Sequence, residues 1–185
     1  MYNALQKIGE VETIAARKSD EYFISLCSEI ICQQLSGRVA DVIFERFLNL
    51  FPRKKIKPEF ILKLKHEDLR SAGMSNAKAG FIMDLAQKIH ANEVQLAQLI
   101  HLENEEAIKE LTKIKGIGPW TAEMFLMFTL GREDIFSHGD LGLKNAIKKL
   151  YKLENPDKEQ IETITIKWSP YRTYACRILW KSLET

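Results

Sequence analysis

Apolar residues along most of this chain recur every three to four positions, the spacing of one face of an α-helix. The first run covers residues 20–35, and a second ends before Pro52. Further runs follow a predicted N-cap at Ser75 and a predicted helix start at Asn104. Only the short stretch Thr163–Trp168 has strand character. The pattern therefore predicts an essentially all-α protein.

Glycine and proline mark the predicted helix ends. Gly73 and Gly131 each follow an apolar run and are predicted to end a helix. The pairs Asn155-Pro156 and Ser169-Pro170 predict the starts of the last two helices, because proline is favoured in a first helical turn. No internal repeat or low-complexity linker separates these elements.

Two glycines interrupt the helical pattern within Leu111–Ala122, which reads LTKIKGIGPWTA. Gly116 and Gly118, flanked by Ile114 and Ile117, predict a tight hairpin between two helices. Its exposed amides and the positive end of the second helix form an anion site suited to a DNA phosphate. The alternative is a plain turn whose glycines serve only left-handed backbone angles.

Composition limits the function only weakly. The 185 residues carry a net charge of +2, and 45% of them are hydrophobic, which is ordinary for a soluble globular protein. Basic residues gather in three groups: Arg53, Lys54, Lys55 and Lys57; Lys109, Lys113 and Lys115; Lys144, Lys148, Lys149 and Lys152. Since a run of charges is usually a solvated face, these groups add little evidence for nucleic-acid binding.

The expected location is intracellular, in the cytoplasm or with the nucleoid. No apolar run approaches membrane-spanning length, and the N-terminus lacks the architecture of a signal peptide. Cys27, Cys32 and Cys176 fall in apolar helical patterns without metal-ligand spacing. We expect three buried free thiols.

A single carboxylate, Asp140, follows the hairpin by about twenty residues in the turn Phe136–Asp140. It is a favourable N-cap for a helix over Leu141–Tyr151, and it is also a candidate for chemistry. The two roles are compatible. His138 in the same turn ranks lower, because no partner carboxylate or second ligand is evident near it in the sequence.

The hairpin, Trp120 and the downstream aspartate resemble the helix-hairpin-helix (HhH-GPD) DNA glycosylase superfamily, in its alkylated-base branch of the 3-methyladenine DNA glycosylase II type. Further segments agree in the right order along nearly the whole chain: Ile31–Ser36, Gly73–Ala79, and Trp168–Arg172 leading to Leu179 and Trp180. The resemblance implies an all-α, two-lobed helical fold with a DNA-binding cleft between the lobes. It implies one domain over residues 1–185, with one lobe over 20–111 and another over 112–185 on which residues 1–19 pack.

By this resemblance the protein is a base-excision repair enzyme that flips alkylated bases out of double-stranded DNA and hydrolyses their N-glycosidic bond. Asp140 is the implied catalytic residue, since a fixed negative charge stabilises the oxocarbenium-like sugar. In superfamily members that also cut the backbone, a lysine forming a Schiff base stands at the position of Trp120. Tryptophan there implies a monofunctional hydrolase that leaves an abasic site, because Lys113 and Lys115 lie on the wrong side of the hairpin to replace that lysine.

The resemblance also assigns binding residues. The implied walls of the base pocket are Trp120, Met124, Tyr171 and Trp180, with ordinary core packing as the alternative for the aromatic ones. Met124 stands where some relatives have an aromatic residue. The implied DNA contacts are Gln33, Gln34, Leu35, Ser36, Lys115, Gly116, Gly118 and Thr121. Gln34 or Leu35 is expected to fill the gap left by the flipped nucleotide.

Several further expectations follow from the resemblance. Relatives with an iron–sulfur cluster carry four closely spaced C-terminal cysteines, and this chain has only Cys176 there, so no cluster is expected. A structural monovalent cation is expected on the backbone carbonyls of Thr112, Ile114 and Ile117. The chain resembles the compact form without an extra β-rich domain, and we expect a monomer.

Two other functions stay open. Helix-hairpin-helix units also serve as non-catalytic DNA-binding modules, which need neither Asp140 nor an aromatic pocket. A glycosylase for another base lesion is the second alternative, against which the missing lysine and cluster weigh.

Overall fold

The computed structural model describes residues 11–183, and every regular element within them is a helix. The α-helices are α1 (Tyr22–Cys32), α2 (Gly37–Leu48), α3 (Pro58–Ile61), α4 (His66–Ser71), α5 (Asn76–His90), α6 (Asn104–Leu111), α7 (Pro119–Phe128), α8 (Leu141–Tyr151), α9 (Lys158–Thr165) and α10 (Arg172–Lys181). Short 3₁₀ helices cover Ser19–Glu21, Pro52–Lys54, Leu96–His101 and Ile166–Trp168. The all-α prediction is confirmed.

The predicted starts of the last two helices each lie two residues before the observed ones. Helix α9 begins at Lys158, because the Asp157 carboxylate accepts the Gln160 N–H at 2.8 Å and acts as the cap. Helix α10 begins at Arg172. The Ser169 hydroxyl, expected as a cap, instead donates to Asp134 at 2.8 Å.

The chain divides into two compact units. The larger covers residues 17–125, and the smaller combines residues 126–185 with the segment up to residue 16. This division falls within α7 and leaves the hairpin in the larger unit, whereas the predicted lobes divide at Leu111. Residues 1–10 of the predicted N-terminal packing lie outside the described residues.

Helix α1 forms the centre of the larger unit and packs against α2 and α5. Its side chains Leu26, Cys27, Ile30 and Ile31 are fully buried. Burying a large aliphatic side chain of this kind contributes about 1.5–3 kcal/mol. The helix carries only one charged side chain, Glu29, so most of its surface can be buried.

In the smaller unit, α8 packs against α10. Ile147 and Leu179 are fully buried in its core. The segment before the larger unit is tied to α10 by two hydrogen bonds. The Ile14 N–H donates to the Tyr174 hydroxyl at 3.3 Å, and the Arg177 guanidinium donates to the Glu12 carbonyl at 2.5 Å.

The cysteine prediction is confirmed for Cys27 and Cys176, which are buried free thiols, and is wrong for Cys32, which is half-buried. Burial raises the pKa of the Cys27 thiol far above its ordinary value. No helix within residues 11–183 is both long enough and apolar enough to cross a bilayer.

Asp134 joins the segment after α7 to the start of α10. Its carboxylate accepts the Arg172 Nε–H at 2.7 Å, the Arg172 backbone N–H at 3.2 Å and the Ser169 hydroxyl at 2.8 Å. Burial alone raises the pKa of Asp134, but the bonds from Arg172 and Ser169 and the Arg172 charge outweigh it and hold the pKa below its ordinary value. Folding therefore favours the ionised carboxylate.

Replacing Asp134 with Asn should lower the free energy of unfolding at pH 7 by about 1–3 kcal/mol, since hydrogen bonds to charged groups contribute that much. Because the folded pKa lies below the unfolded one, this stabilisation is fully present above the ordinary carboxyl pKa. It is lost as the pH falls through the folded value. Urea unfolding at pH 7 and at about pH 3 measures the difference between wild type and variant. A difference that is unchanged at low pH would show that the charge is not the cause.

Candidate functional site

The predicted hairpin lies between α6 and α7, and its two glycines serve different purposes. Gly116 has φ +84°, and a Cβ built on it would lie 2.2 Å from the Phe81 ring. A Cβ on Gly118 would meet no heavy atom within 4 Å. Ile114 and Ile117 are buried and brace the turn. Gly116 is therefore required by the fold, whereas Gly118 borders open space.

An acidic residue of α5 fixes the hairpin. The largely buried Asp84 carboxylate accepts the Lys115 backbone N–H at 2.9 Å and lies 3.5 Å from the Lys115 ammonium. The Lys115 side chain nevertheless stays 74% exposed. Sequence reasoning missed Asp84, because nothing in the α5 pattern links that residue to Lys115, thirty-one residues later.

The turn after α1 is bonded to the hairpin through Gln33. Its side-chain amide donates to the Gly116 carbonyl at 2.9 Å and to the Thr121 hydroxyl at 3.3 Å. Thr121 is buried. Two predicted DNA contacts, Gln33 and Thr121, are thus hydrogen-bonded to each other. Gln34 adopts a left-handed φ of +56°, and its side chain is exposed.

Lys78 of α5 holds the same turn from the other side. Its ammonium donates to the Ile31 carbonyl at 2.8 Å and to the Gln33 carbonyl at 2.5 Å, which satisfies acceptors at the end of α1. Burial lowers the pKa of Lys78. The turn is therefore anchored at both flanks, with Gln34 exposed at its tip and Leu35 half-buried beside it.

A cavity of about 520 Å³ opens beside this turn. Its lining residues are Glu29, Cys32, Gln33, Gln34, Leu35, Trp120 and Thr121. Trp120 lines this cavity and is 44% exposed. Met124, one turn further along α7, is buried and is not among the lining residues.

Sequence reasoning also missed Glu29. This half-buried side chain lies one helical turn before Gln33 and lines the cavity. Burial raises the pKa of the Glu29 carboxyl, and the charge of Arg17 lowers it in part. The available signal was a single acidic residue within the otherwise uncharged run YFISLCSEIIC.

In the smaller unit, Asp140 is the N-cap of α8. Its Oδ1 accepts the Leu143 backbone N–H at 2.8 Å and the Trp180 indole N–H at 3.1 Å. The residue is 9% exposed. A Cβ on Gly142 would lie 3.1 Å from the same oxygen, so the carboxylate is closely surrounded. N–H donors and a helix N-terminus both stabilise a negative charge at this point.

The other candidates of this unit have distinct surroundings. The Trp180 ring lies 6.0 Å from that of Phe128. Tyr171 is 58% exposed, with its ring 6.3 Å from that of Tyr174. The expectation that His138 lacks a partner carboxylate is wrong, because its Nε2 lies 2.6 Å from the Glu162 carboxylate. Their separation along the chain hid this pair from the sequence.

The carbonyls expected to bind a monovalent cation lie in a turn that is held by hydrogen bonds. The Ile117 N–H donates to the Ile114 carbonyl at 3.1 Å, and the Gly116 carbonyl is used by Gln33. Within residues 11–183 no group of three or more His, Cys, Asp or Glu side chains is arranged to hold a metal ion.

Comparison with known proteins identifies one family. A family model described as HhH-GPD superfamily base excision DNA repair protein matches residues 27–170. The putative DNA-3-methyladenine glycosylase YfjP of Bacillus subtilis is 40% identical over 162 residues, which cover 84% of this chain and 56% of that protein. DNA-3-methyladenine glycosylase 1 of Schizosaccharomyces pombe is 31% identical over 178 residues, which cover 95% of this chain and 78% of that protein. The chain thus spans just over half of the first relative and about three quarters of the second.

Two solved structures share the fold. The DNA-3-methyladenine glycosidase of Bacillus halodurans superposes with a TM-score of 0.87 at 37% identity, covering 100% of this chain and 84% of that one. The S. pombe 3-methyladenine DNA glycosylase Mag1, in complex with abasic DNA, gives 0.81 at 29% identity, covering 100% and 91%.

Proposed function

Since this chain belongs to the HhH-GPD superfamily of base excision DNA repair proteins, we propose that it is a monofunctional DNA glycosylase for alkylated bases. It would bind double-stranded DNA, extrude a 3-methyladenine-type base and hydrolyse the N-glycosidic bond. The abasic site would remain with its backbone intact. The observation that carries the proposal is the Asp140 carboxylate, held at a helix N-terminus by two N–H donors.

Asp140 supplies the chemistry in this proposal. Breaking the glycosidic bond builds positive charge on the deoxyribose, and a fixed carboxylate stabilises that charge. The bonds from Leu143 and Trp180 fix the position of the carboxylate before the substrate arrives. Trp180 is therefore proposed as a positioning residue for Asp140, in addition to its predicted place in the base pocket.

Trp120 is proposed to bind the extruded base. Its exposed indole lines the cavity beside Gln34 and Leu35, where an electron-poor alkylated base would stack by cation–π attraction. An indole has no amine with which to form a Schiff base, which supports hydrolysis by water. Met124 and Tyr171 stay predictions as further pocket walls.

The hairpin is proposed to hold the DNA backbone. Gly118 borders open space, and the Lys115 side chain, three residues before it, is 74% exposed, so a phosphate can approach the hairpin at both residues. Gln34, Leu35 and Ser36 are proposed to enter the duplex at the turn, while Gln33 and Thr121 hold that turn against the hairpin. A monovalent cation on the carbonyls of the hairpin residues Thr112, Ile114 and Ile117 belongs to the same proposal. We also propose that the protein acts on nucleoid DNA as a monomer and that it binds no iron–sulfur cluster.

A duplex oligonucleotide with one 7-methylguanine tests the proposal. The protein should generate abasic sites that become strand breaks only after alkali, and borohydride should trap no covalent complex. Strand breaks without alkali would contradict the monofunctional mechanism. Tight duplex binding without abasic sites would favour a non-catalytic DNA-binding module.

A further inference from the structure

The basic residues that follow α2 have no role in the proposed function. Helix α2 begins directly after the turn that contains Gln34 and Ser36, and the basic residues lie just beyond its other end. The helix has 12 residues, which gives it a length of about 18 Å. Both ends belong to the larger unit. A ligand of these basic residues would therefore bind well away from the turn proposed to enter the duplex.

A groove of about 580 Å³ lies beside this segment and has an apolar lining. Leu50, Phe51, Phe60 and Leu64 supply most of that lining. Phe51 is buried, with its ring 5.2 Å from that of Phe47, and so forms a fixed floor. Phe60 is 38% exposed. An apolar patch that is open to solvent and rimmed by polar residues is typical of a protein interaction site.

The rim of the same groove is cationic. Arg53, Lys55 and Lys63 line it, and among the described lining residues none is acidic. Within residues 11–183 none of these three cations forms an ion pair. Their neighbour Lys54, in contrast, is paired with Glu45 of α2. We call this cavity, with its apolar lining and three unpaired cations, the basic groove.

The walls of the basic groove are fixed by the fold. Arg53 and Lys54 both adopt a left-handed backbone, with φ of +54° and +53°. Residues other than glycine rarely do so, and where they do, the surrounding structure imposes the conformation. Here the Lys55 N–H donates to the Pro52 carbonyl at 3.2 Å across the turn. On the other side, α3 packs against α5. A groove formed in advance lowers the cost of ordering on binding.

We propose that the basic groove binds an acidic segment of a partner protein. An apolar side chain of that segment would pack on Phe60, and its carboxylates would pair with Arg53, Lys55 and Lys63. The Lys63 ammonium already lies 5.8 Å from the centre of the Phe60 ring, so charge and apolar surface meet at one point. A DNA backbone would use the cations and leave the apolar lining unfilled, whereas a peptide uses both. This interaction goes beyond the proposed function and does not depend on it.

Fluorescence anisotropy with the full chain and three labelled peptides tests the proposal. The first peptide, Asp-Glu-Asp-Phe-Asp-Glu-Leu-Asp, combines carboxylates with two apolar side chains. The second has serine in place of phenylalanine and leucine, and the third has asparagine and glutamine in place of the acids. The first should bind at least about tenfold more tightly than either of the others, because it alone matches both the charge and the apolar lining. Its affinity should fall as the salt concentration rises.

Two variants assign the binding to the basic groove. Phe60→Ala should weaken binding of the first peptide by about tenfold or more, the effect expected at an aromatic anchor. Ile100→Ala, at another exposed apolar residue of the larger unit, is its matched control. Lys63→Glu should weaken binding by about fivefold or more and reduce its salt dependence. Lys149→Glu, on the exposed face of α8, makes the same change in charge and should have little effect.

The other outcomes overturn the proposal. Absent binding of the first peptide, equal binding of all three, or equal losses in the variants and their controls would exclude a specific peptide site. An unmodified duplex that displaces the peptide, or that binds Lys63→Glu more weakly than Lys149→Glu, would assign the groove to DNA. Self-association of wild type that Phe60→Ala abolishes would assign it to a second copy of this chain.

This test is independent of base release. Phe60→Ala and Lys63→Glu should release 7-methylguanine at the wild-type rate, because neither residue belongs to the proposed site. Failure of the peptide test would therefore leave the proposed function standing. Thermal denaturation of both variants checks that the fold is retained, and two different substitutions keep the test valid if one of them disturbs folding.

Discussion

The Asp140→Asn variant should bind methylated duplex DNA and yet release bases about 10³-fold more slowly than wild type in single-turnover assays. This factor is typical for the loss of a preorganised charge at a transition state. Asparagine is as good an N-cap as aspartate, so α8 should form normally and the melting temperature should change little. The variant therefore removes the charge while it keeps the shape.

Asp157→Asn is a matched control for this experiment. Asp157 caps α9 with the same geometry, its carboxylate accepting the Gln160 N–H at 2.8 Å. The substitution should change neither base release nor stability by more than a small factor. Normal activity in Asp140→Asn would remove the carboxylate from the mechanism and leave it only its capping role.

The second large effect is expected at the hairpin. Gly116→Ala should lower the stability of the fold, whereas Gly118→Ala should lower the affinity for DNA. A methyl group at Gly116 would overlap the Phe81 ring, and the left-handed φ adds strain. We expect a loss of about 2–4 kcal/mol in the free energy of unfolding, within the range of overpacking and strain at a fixed site. DNA binding should be lost with the hairpin.

Gly118→Ala should leave the fold intact, because its methyl group meets no atom within 4 Å. DNA affinity should nevertheless fall by about tenfold, since the methyl group takes space that a phosphate would use. Gly80→Ala on α5 is the control, and alanine there should slightly stabilise the helix. Urea unfolding and a fluorescence binding titration measure the two effects separately. Equal DNA affinity of Gly118→Ala and wild type would refute the phosphate contact.

Local sequence signals predicted the helices, the hairpin and the cap at Asp140, because each depends on residues within one or two turns. The glycine spacing predicted the turn at Gly116, and Asp140 is the predicted N-cap of α8. The predicted N-cap at Ser75 is confirmed, because its hydroxyl accepts the Lys78 N–H. Local signals failed at the last two helix starts. Asp157, and not Asn155, caps α9, and at the start of α10 the Ser169 hydroxyl donates to Asp134, thirty-five residues earlier.

The hydrogen bonds that hold the candidate site in place could not be predicted, because they join distant parts of the chain. Asp84 holds the hairpin, and Lys78 holds the turn after α1, through bonds that no periodic pattern encodes. Gln33 was expected at the DNA, yet its amide bonds to the hairpin, eighty-three residues later. Glu29 could have been noticed as a lone acid in an apolar helix, but only the fold shows that it shares a cavity with Trp120.

The most direct test of the account is the identity of what the protein releases from methylated duplex DNA. Chromatography of the soluble fraction after a single turnover should show free methylated purines, in amounts equal to the abasic sites left in an unbroken backbone. Asp140→Asn, at the same occupancy of the DNA, should release almost none. Free bases released equally by both proteins, or bound DNA that yields no free base, would contradict the account.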